Sequence, residues 1–185
     1  MNRARAVLVL LSAVLLAAPA CKSKPKEPDI PKLIEDLKSG DQGRKGQASL
    51  AIVRIGEPAV PALIELLKSP EAAHRATAAS TLFGMGHKAR EAAPALGEAL
   101  SDPEVDVRMG SAMALESIGP DAAPAVPALV KALKDHEGVV RQRAAIALGS
   151  IGPAARDAVP ALVEAARWDP VRPAADEAIK KIRGH

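Results

Sequence analysis

A proline returns five times in this chain with a similar stretch of sequence behind it. Pro31, Pro61, Pro94, Pro127 and Pro160 each have a leucine two positions on: Leu33, Leu63, Leu96, Leu129 and Leu162. The first interval between these prolines is 30 residues and the next three are 33. Self-similarity at such a period constrains the fold more than any local propensity, because one unit cannot bury its own apolar face and must share it with the next.

Within a unit, proline stands where the first helical turn tolerates a missing N–H. The leucines, joined four residues later by Leu37, Leu67, Leu100 and Leu133, draw one apolar stripe along a helix of about nine residues. Ser69-Pro70-Glu71 and Asp102-Pro103-Glu104 then read as an N-cap, a first-turn proline and an acid, so a second, longer helix is expected to begin there. Its apolar positions are Ala79, Leu82 and Met85, then Ala112, Leu115 and Ile118, then Ala145, Leu148 and Ile151. These runs stop at Gly56, Gly86, Gly119 and Gly152, residues free to take the positive φ that ends a helix. The three residues missing from the first interval fall after Gly56, in the connection to Pro61, where changes of length belong. The predicted fold is all-α, an α-solenoid of about five helix pairs.

The side chains available agree. The chain is 48% hydrophobic but only 1% aromatic, with Phe83, Trp168 and no tyrosine. Alanine-rich second helices (Ala78, Ala79, Ala144, Ala145, Ala147) approach closely without bulky filler. The same shortage argues against a platform for stacking nucleic-acid bases.

The run from Asp102 through Arg108, Ala112, Ala114, Leu115 and Ile118 to Gly119 is nearly repeated from Arg141 to Gly152. It resembles the HEAT family, specifically the short HEAT-like repeat also seen in phycobilin lyases, over residues 31–183. The resemblance implies that the second helices line a concave surface. It also implies that Asp102 with Arg108, Asp135 with Arg141, and Arg75 at the equivalent place belong to a structural ladder of hydrogen bonds between repeats. The outer units depart from the pattern: Ser39 and Lys45 replace the Asp and Arg, Trp168 replaces the last Asp, and Arg172 lies two residues early. Terminal repeats are commonly atypical because one side faces water.

Ahead of the repeats, Arg3 and Arg5 precede an apolar run from Ala6 to Ala18. Thirteen helical residues rise about 20 Å, short of a bilayer core of about 30 Å. Residues 1–20 therefore read as a secretory signal peptide. Cys21 is the only cysteine. A small residue just before it resembles the lipobox of bacterial lipoproteins, although Ala18 stands where leucine is usual and Pro19 follows. Ala18-Pro19-Ala20 also fits ordinary signal peptidase. Lipidation of Cys21 is the expectation, since a lone thiol in an exported protein has no intramolecular partner. Residues 21–30 form a lipidated Cys and flexible tether, and residues 31–185 the repeat domain. The expected location is a bacterial cell envelope, with the membrane reached through the N-terminal lipid anchor.

The formal charge of +3 invites an anionic partner until it is located. Arg3, Arg5, Lys22, Lys24 and Lys26 lie before the repeats, against Glu27 and Asp29, leaving twenty basic and twenty acidic residues from position 30 onward. Nucleic acid is not an expected partner. No Gly-x-Ser-x-Gly elbow or phosphate-binding glycine loop occurs. Deoxyhypusine hydroxylase, also built of HEAT-like repeats, holds two irons with several His-Glu pairs; here His136-Glu137 is the single pair. No catalytic residue, metal or cofactor is expected. An alternative is a HEAT-like enzyme, phycobilin-lyase-like or metal-dependent, acting on a bound cofactor.

What remains is surface, and protein partners are the expected ligands. On the implied concave side the outward positions are Gln47, Leu50, Thr77, Ser80, Met109, Met113, Gln142, Arg143 and Ile146. Leu50, Met109, Met113 and Ile146 are apolar where a solvated face would be charged. They either form a partner-binding groove or pack between neighbouring helices.

Overall fold

The computed structural model describes residues 29–167 and 170–184; the segment expected to be a signal peptide, most of the expected tether, Cys21 and Trp168 lie outside them. The described residues form ten α-helices in five pairs. The first helices are α1 (Ile30–Lys38), α3 (Val60–Leu66), α5 (Ala93–Ala99), α7 (Val126–Ala132) and α9 (Val159–Ala165), each with proline in its first turn. The second helices are α2 (Gln42–Ile55), α4 (Ala72–Met85), α6 (Val105–Ile118), α8 (Gly138–Ile151) and α10 (Arg172–Arg183). The molecule is an α-solenoid.

Burial follows the sequence pattern. Leu63, Leu96, Leu129 and Leu162 are fully buried, as are Leu82, Leu115 and Leu148 on the second helices. Together with the alanines between them they form one core running from Leu37 to Ile182. Gly56, Gly86, Gly119 and Gly152 each cap a second helix at positive φ. Gly119 shows why glycine is needed: φ 75° with ψ −136° lies outside the regions open to a residue with a Cβ.

Two features differ from expectation. The connections after these glycines are not irregular loops but 3₁₀ segments: Gly86–Ala92, Gly119–Ala125 and Gly152–Ala158, with a shorter Glu57–Ala59 where the three residues are missing. A 3₁₀ helix repeats every three residues, and buried Ala89/Ala92, Ala122/Ala125 and Ala155/Ala158 keep that spacing. These segments sit between successive first helices, whereas α4, α6, α8 and α10 pack directly on one another.

The second difference is the helix starts. The expected caps Ser69 and Asp102 lie outside α4 and α6, whose cap residues are Glu71 and Glu104. Ser69 Oγ accepts from Glu71 N at 3.3 Å and Asp102 Oδ1 from Glu104 N at 2.9 Å, closing the turn before the helix. Asp102 is also the acceptor of Arg75. Arg75 Nε and Nη2 donate to its two carboxylate oxygens at 2.6 and 2.9 Å. Arg108 holds Asp135 in the same way, at 2.8 and 3.1 Å. Each rung thus joins an Arg to the Asp of the next repeat, 27 residues on. The residue six before the Arg contributes only its carbonyl: Arg108 Nη1 donates to Asp102 O, and Arg141 Nη1 to Asp135 O.

Candidate protein-binding face

Small residues bring the second helices together. A Cβ placed on Gly110 would lie 3.1 Å from that of Ala79, and one on Gly149 would lie 2.9 Å from Ala178 Cα. Polar links span the α4–α6 and α6–α8 seams: Ser117 Oγ donates to Phe83 O at 3.0 Å, and Arg143 Nη1 to Glu116 Oε2 at 3.4 Å. With the flanks of each helix used for stacking, the strip between them is what faces outward.

Every residue expected on that face has some exposure, but they divide. Gln47, Leu50, Ser80 and Gln142 are exposed, while Thr77, Met109, Met113, Arg143 and Ile146 are half-buried. Met109 packs against the core; Met113 and Ile146 are not among the side chains that do so. Leu50 is 62% exposed. The two readings of these apolar positions therefore apply to different residues, Met109 to packing and the rest to an open face. Arg143 is tied to Glu116 across the seam.

Two apolar members of the face escaped the sequence reading. Val139 is 39% exposed and lies seven residues before Ile146, on the same side of α8. Phe83 is 40% exposed and lies one turn beyond Ser80 on α4. Both could have been found by extending the helical spacing a turn in each direction from the chosen positions.

The lowered carboxyls of Asp102 and Asp135 belong to the ladder. The Arg75 hydrogen bond, aided by Glu104 N–H, holds the Asp102 carboxyl below its ordinary range despite some burial. For Asp135, burial raises the pKa, but Arg108 and the Glu137 N–H together outweigh it and the net shift is downward. His136 and Glu137 are exposed in the turn before α8. Among the described residues no three His, Cys, Asp or Glu side chains gather as metal ligands. Nor is any helix among them long and apolar enough to cross a membrane.

Stacked helix pairs over one core, with arginine–aspartate rungs between neighbours and an open second-helix side, define an α-helical repeat protein. The HEAT-repeat family model matches residues 30–116 and 93–183. The protein belongs to the HEAT-repeat family. The complex of CpcE and CpcF of phycocyanin lyase from Nostoc sp. PCC7120 is similar, with a TM-score of 0.69 and 26% identity, covering 81% of this chain and 97% of that one. A designed armadillo repeat protein shares the fold at 0.59 and 20% identity, covering 84% and 83%. Another, in complex with the peptide (KR)4, does so at 0.57 and 18%, covering 83% and 82%. No curated protein matches the sequence significantly.

Proposed function

We propose that the protein is a non-catalytic HEAT-repeat scaffold that holds a protein partner on the outward strip of its second helices. The observation carrying this is the run of exposed or half-exposed apolar side chains on four successive second helices: Leu50, Phe83, Met113, and Val139 with Ile146. Apolar side chains left in water on a rigid surface mark interaction sites, and a methionine among them adapts to a partner's contour. Met113→Glu combined with Ile146→Glu tests it, since neither residue belongs to the buried core. Against partners crosslinked to wild type, the folded double variant is expected to lose at least about tenfold in capture, the effect of burying unpaired charge in an interface. Undiminished capture would refute the reading.

The scaffold is displayed at a bacterial cell envelope through acylation of Cys21. Acyl chains give stable anchoring once more than one is present, at about 0.8 kcal/mol per buried CH₂. Cells fed a labelled fatty acid are expected to incorporate it, with a matching mass on the N-terminal peptide beginning at Cys21. Cys21→Ser should abolish the label and release the protein from membranes. An unmodified peptide from wild type, cut by ordinary signal peptidase, would refute the anchor.

A second reading is a subunit of an enzyme acting on a bound chromophore. It rests on the likeness to the phycocyanin lyase complex. A bilin absorbance co-purifying with the protein at fixed stoichiometry would favour it.

A further inference from the structure

The Arg–Asp ladder lacks its first rung, and the missing rung leaves a cation facing an open cleft. Lys45 of α2 stands where the later repeats have Arg75, Arg108 and Arg141. Its acceptor in the second repeat would be Ser69, the position equivalent to Asp102. Ser69 carries no charge, and its Oγ is engaged by His74 Nδ1 at 3.2 Å and by Glu71 N. Lys45 is half-buried, and among the described residues no carboxylate pairs with its ammonium group.

The cleft lies at the N-terminal end of α2, where it parts from α4. α2 and α4 meet toward their C-terminal halves. There a Cβ on Gly84 would lie 3.3 Å from Val53 Cγ2, and Ser49 and Thr81 share a 3.2 Å hydrogen bond. Nearer the start of α2 they part, and a Cβ on Gly46 would meet nothing within 4 Å. The gap is a cleft of about 390 Å³ with Gln42, Lys45, Ser49, Thr77, Ser80 and Thr81 among its lining residues. Among the described residues no acidic side chain lines it. At the corresponding level the α4–α6 seam is closed by Gly110 on Ala79.

Three of the four hydroxyl protons along the cleft are already allotted. Thr77 donates to Ala73 O and Thr81 to Thr77 O, so in the Ser49–Thr81 contact Ser49 is the donor. The donors left for a ligand are the Lys45 ammonium, the Ser80 hydroxyl and the Gln42 amide, a cation with two neutral donors. The Ser49 and Thr77 oxygens keep lone pairs for an N–H beside the anion.

We infer that the α2–α4 cleft binds a carboxylate, held by Lys45 with Ser80 and Gln42. The carrier is the protein partner of the outward strip, so that assignment rests on the proposed function; the cleft's preference for a carboxylate does not. The carboxylate is either an acidic side chain of the partner or the partner's own C-terminal carboxylate.

The test is an NMR titration of the full-length protein, labelled with ¹⁵N, with sodium acetate against acetamide at matched ionic strength. Acetate should give saturable shifts at the amides of Lys45, Gly46, Thr77 and Ser80, and acetamide should not. Lys45→Gln should weaken the acetate response about tenfold, the worth of a charge-assisted contact, while Lys45→Arg retains most of it. Equal responses to acetate and acetamide, or a Lys45→Gln variant that titrates like wild type, would overturn the inference. Two peptides then separate the sources. Tighter binding of acetyl-Ala-Glu-Ala-amide supports an acidic side group, and tighter binding of acetyl-Ala-Ala-Ala with a free terminal carboxylate supports a terminus. An intact acetate response beside undiminished partner capture by the Met113→Glu, Ile146→Glu variant would sink the proposed function alone.

Discussion

Gly149→Leu is expected to detach the last helix from the solenoid. Position 149 is fully enclosed, and even a Cβ there would stand 2.9 Å from Ala178 Cα and 3.0 Å from Ala178 Cβ, a clash with backbone that no side-chain rotation relieves. Overpacking costs about 1–3 kcal/mol even where side chains can shift, and here α10 itself must move. Leucine gains about 1 kcal/mol of helix propensity over glycine, so with overpacking at the top of its range the net loss is about 2 kcal/mol. Because a repeat array is stabilised by nearest-neighbour interfaces, the loss should be local. Amides of α10 should lose exchange protection while those of α4 and α6 keep theirs. Gly46→Ala, also inside a helix but in open space, should instead stabilise by about 0.4–1 kcal/mol. Unchanged α10 protection in Gly149→Leu would show that the α8–α10 contact is not as close as described.

The second large effect is expected at the ladder. Asp135→Ala removes both hydrogen bonds from Arg108 and the one from Glu137 N, and leaves a guanidinium whose side chain is 12% exposed without its counter-charge. Removing one partner of a buried pair costs about 3–5 kcal/mol, and the residual solvent contact here lowers the expectation to about 2–3 kcal/mol. The backbone carbonyls of Asp102 and Pro103 still accept from Arg108 Nη1, which also limits the loss.

The same rungs set an acid dependence. The folded-state pKa values of Asp102 and Asp135 lie below their unfolded values. Their contribution is therefore complete above the unfolded aspartate pKa of about 3.9 and is lost as pH falls from there through the depressed folded value. Thermal unfolding at pH 7 and pH 3 should show a clear acid loss in wild type and a smaller one in the Asp102→Asn, Asp135→Asn variant. Equal acid losses would remove the ladder from the account. Asp41, whose carboxyl is lowered by the Arg44 and Gly43 N–H groups, remains in the variant and keeps its acid loss above zero.

The outward strip shows how far periodicity reaches. Leu50, Met113 and Ile146 were legible because a helix places every third or fourth residue on one side, and an apolar residue there contradicts a solvated face. The same spacing could not separate Met109, which packs inward, from Met113, four residues on. The difference lies in how α6 packs against its neighbours, which the period of one helix does not contain. The Lys45 cleft was invisible for a related reason. The sequence displays Lys45 and Ser69 in place of the Arg and Asp of a rung, but not that α2 parts from α4 beside them.

By itself the sequence determined the helix pairs, the buried leucines, the glycine stops and the place of the short connection. All of these follow from spacing within one repeat unit, where the helix period converts residue number into direction. Only the tertiary structure decided which aspartate each arginine holds, that the connections coil as 3₁₀ turns, and where neighbouring helices close or gape. Those depend on contacts between units about 27 to 34 residues apart, whose register is fixed by the small side chains at each seam and has no counterpart in the local period.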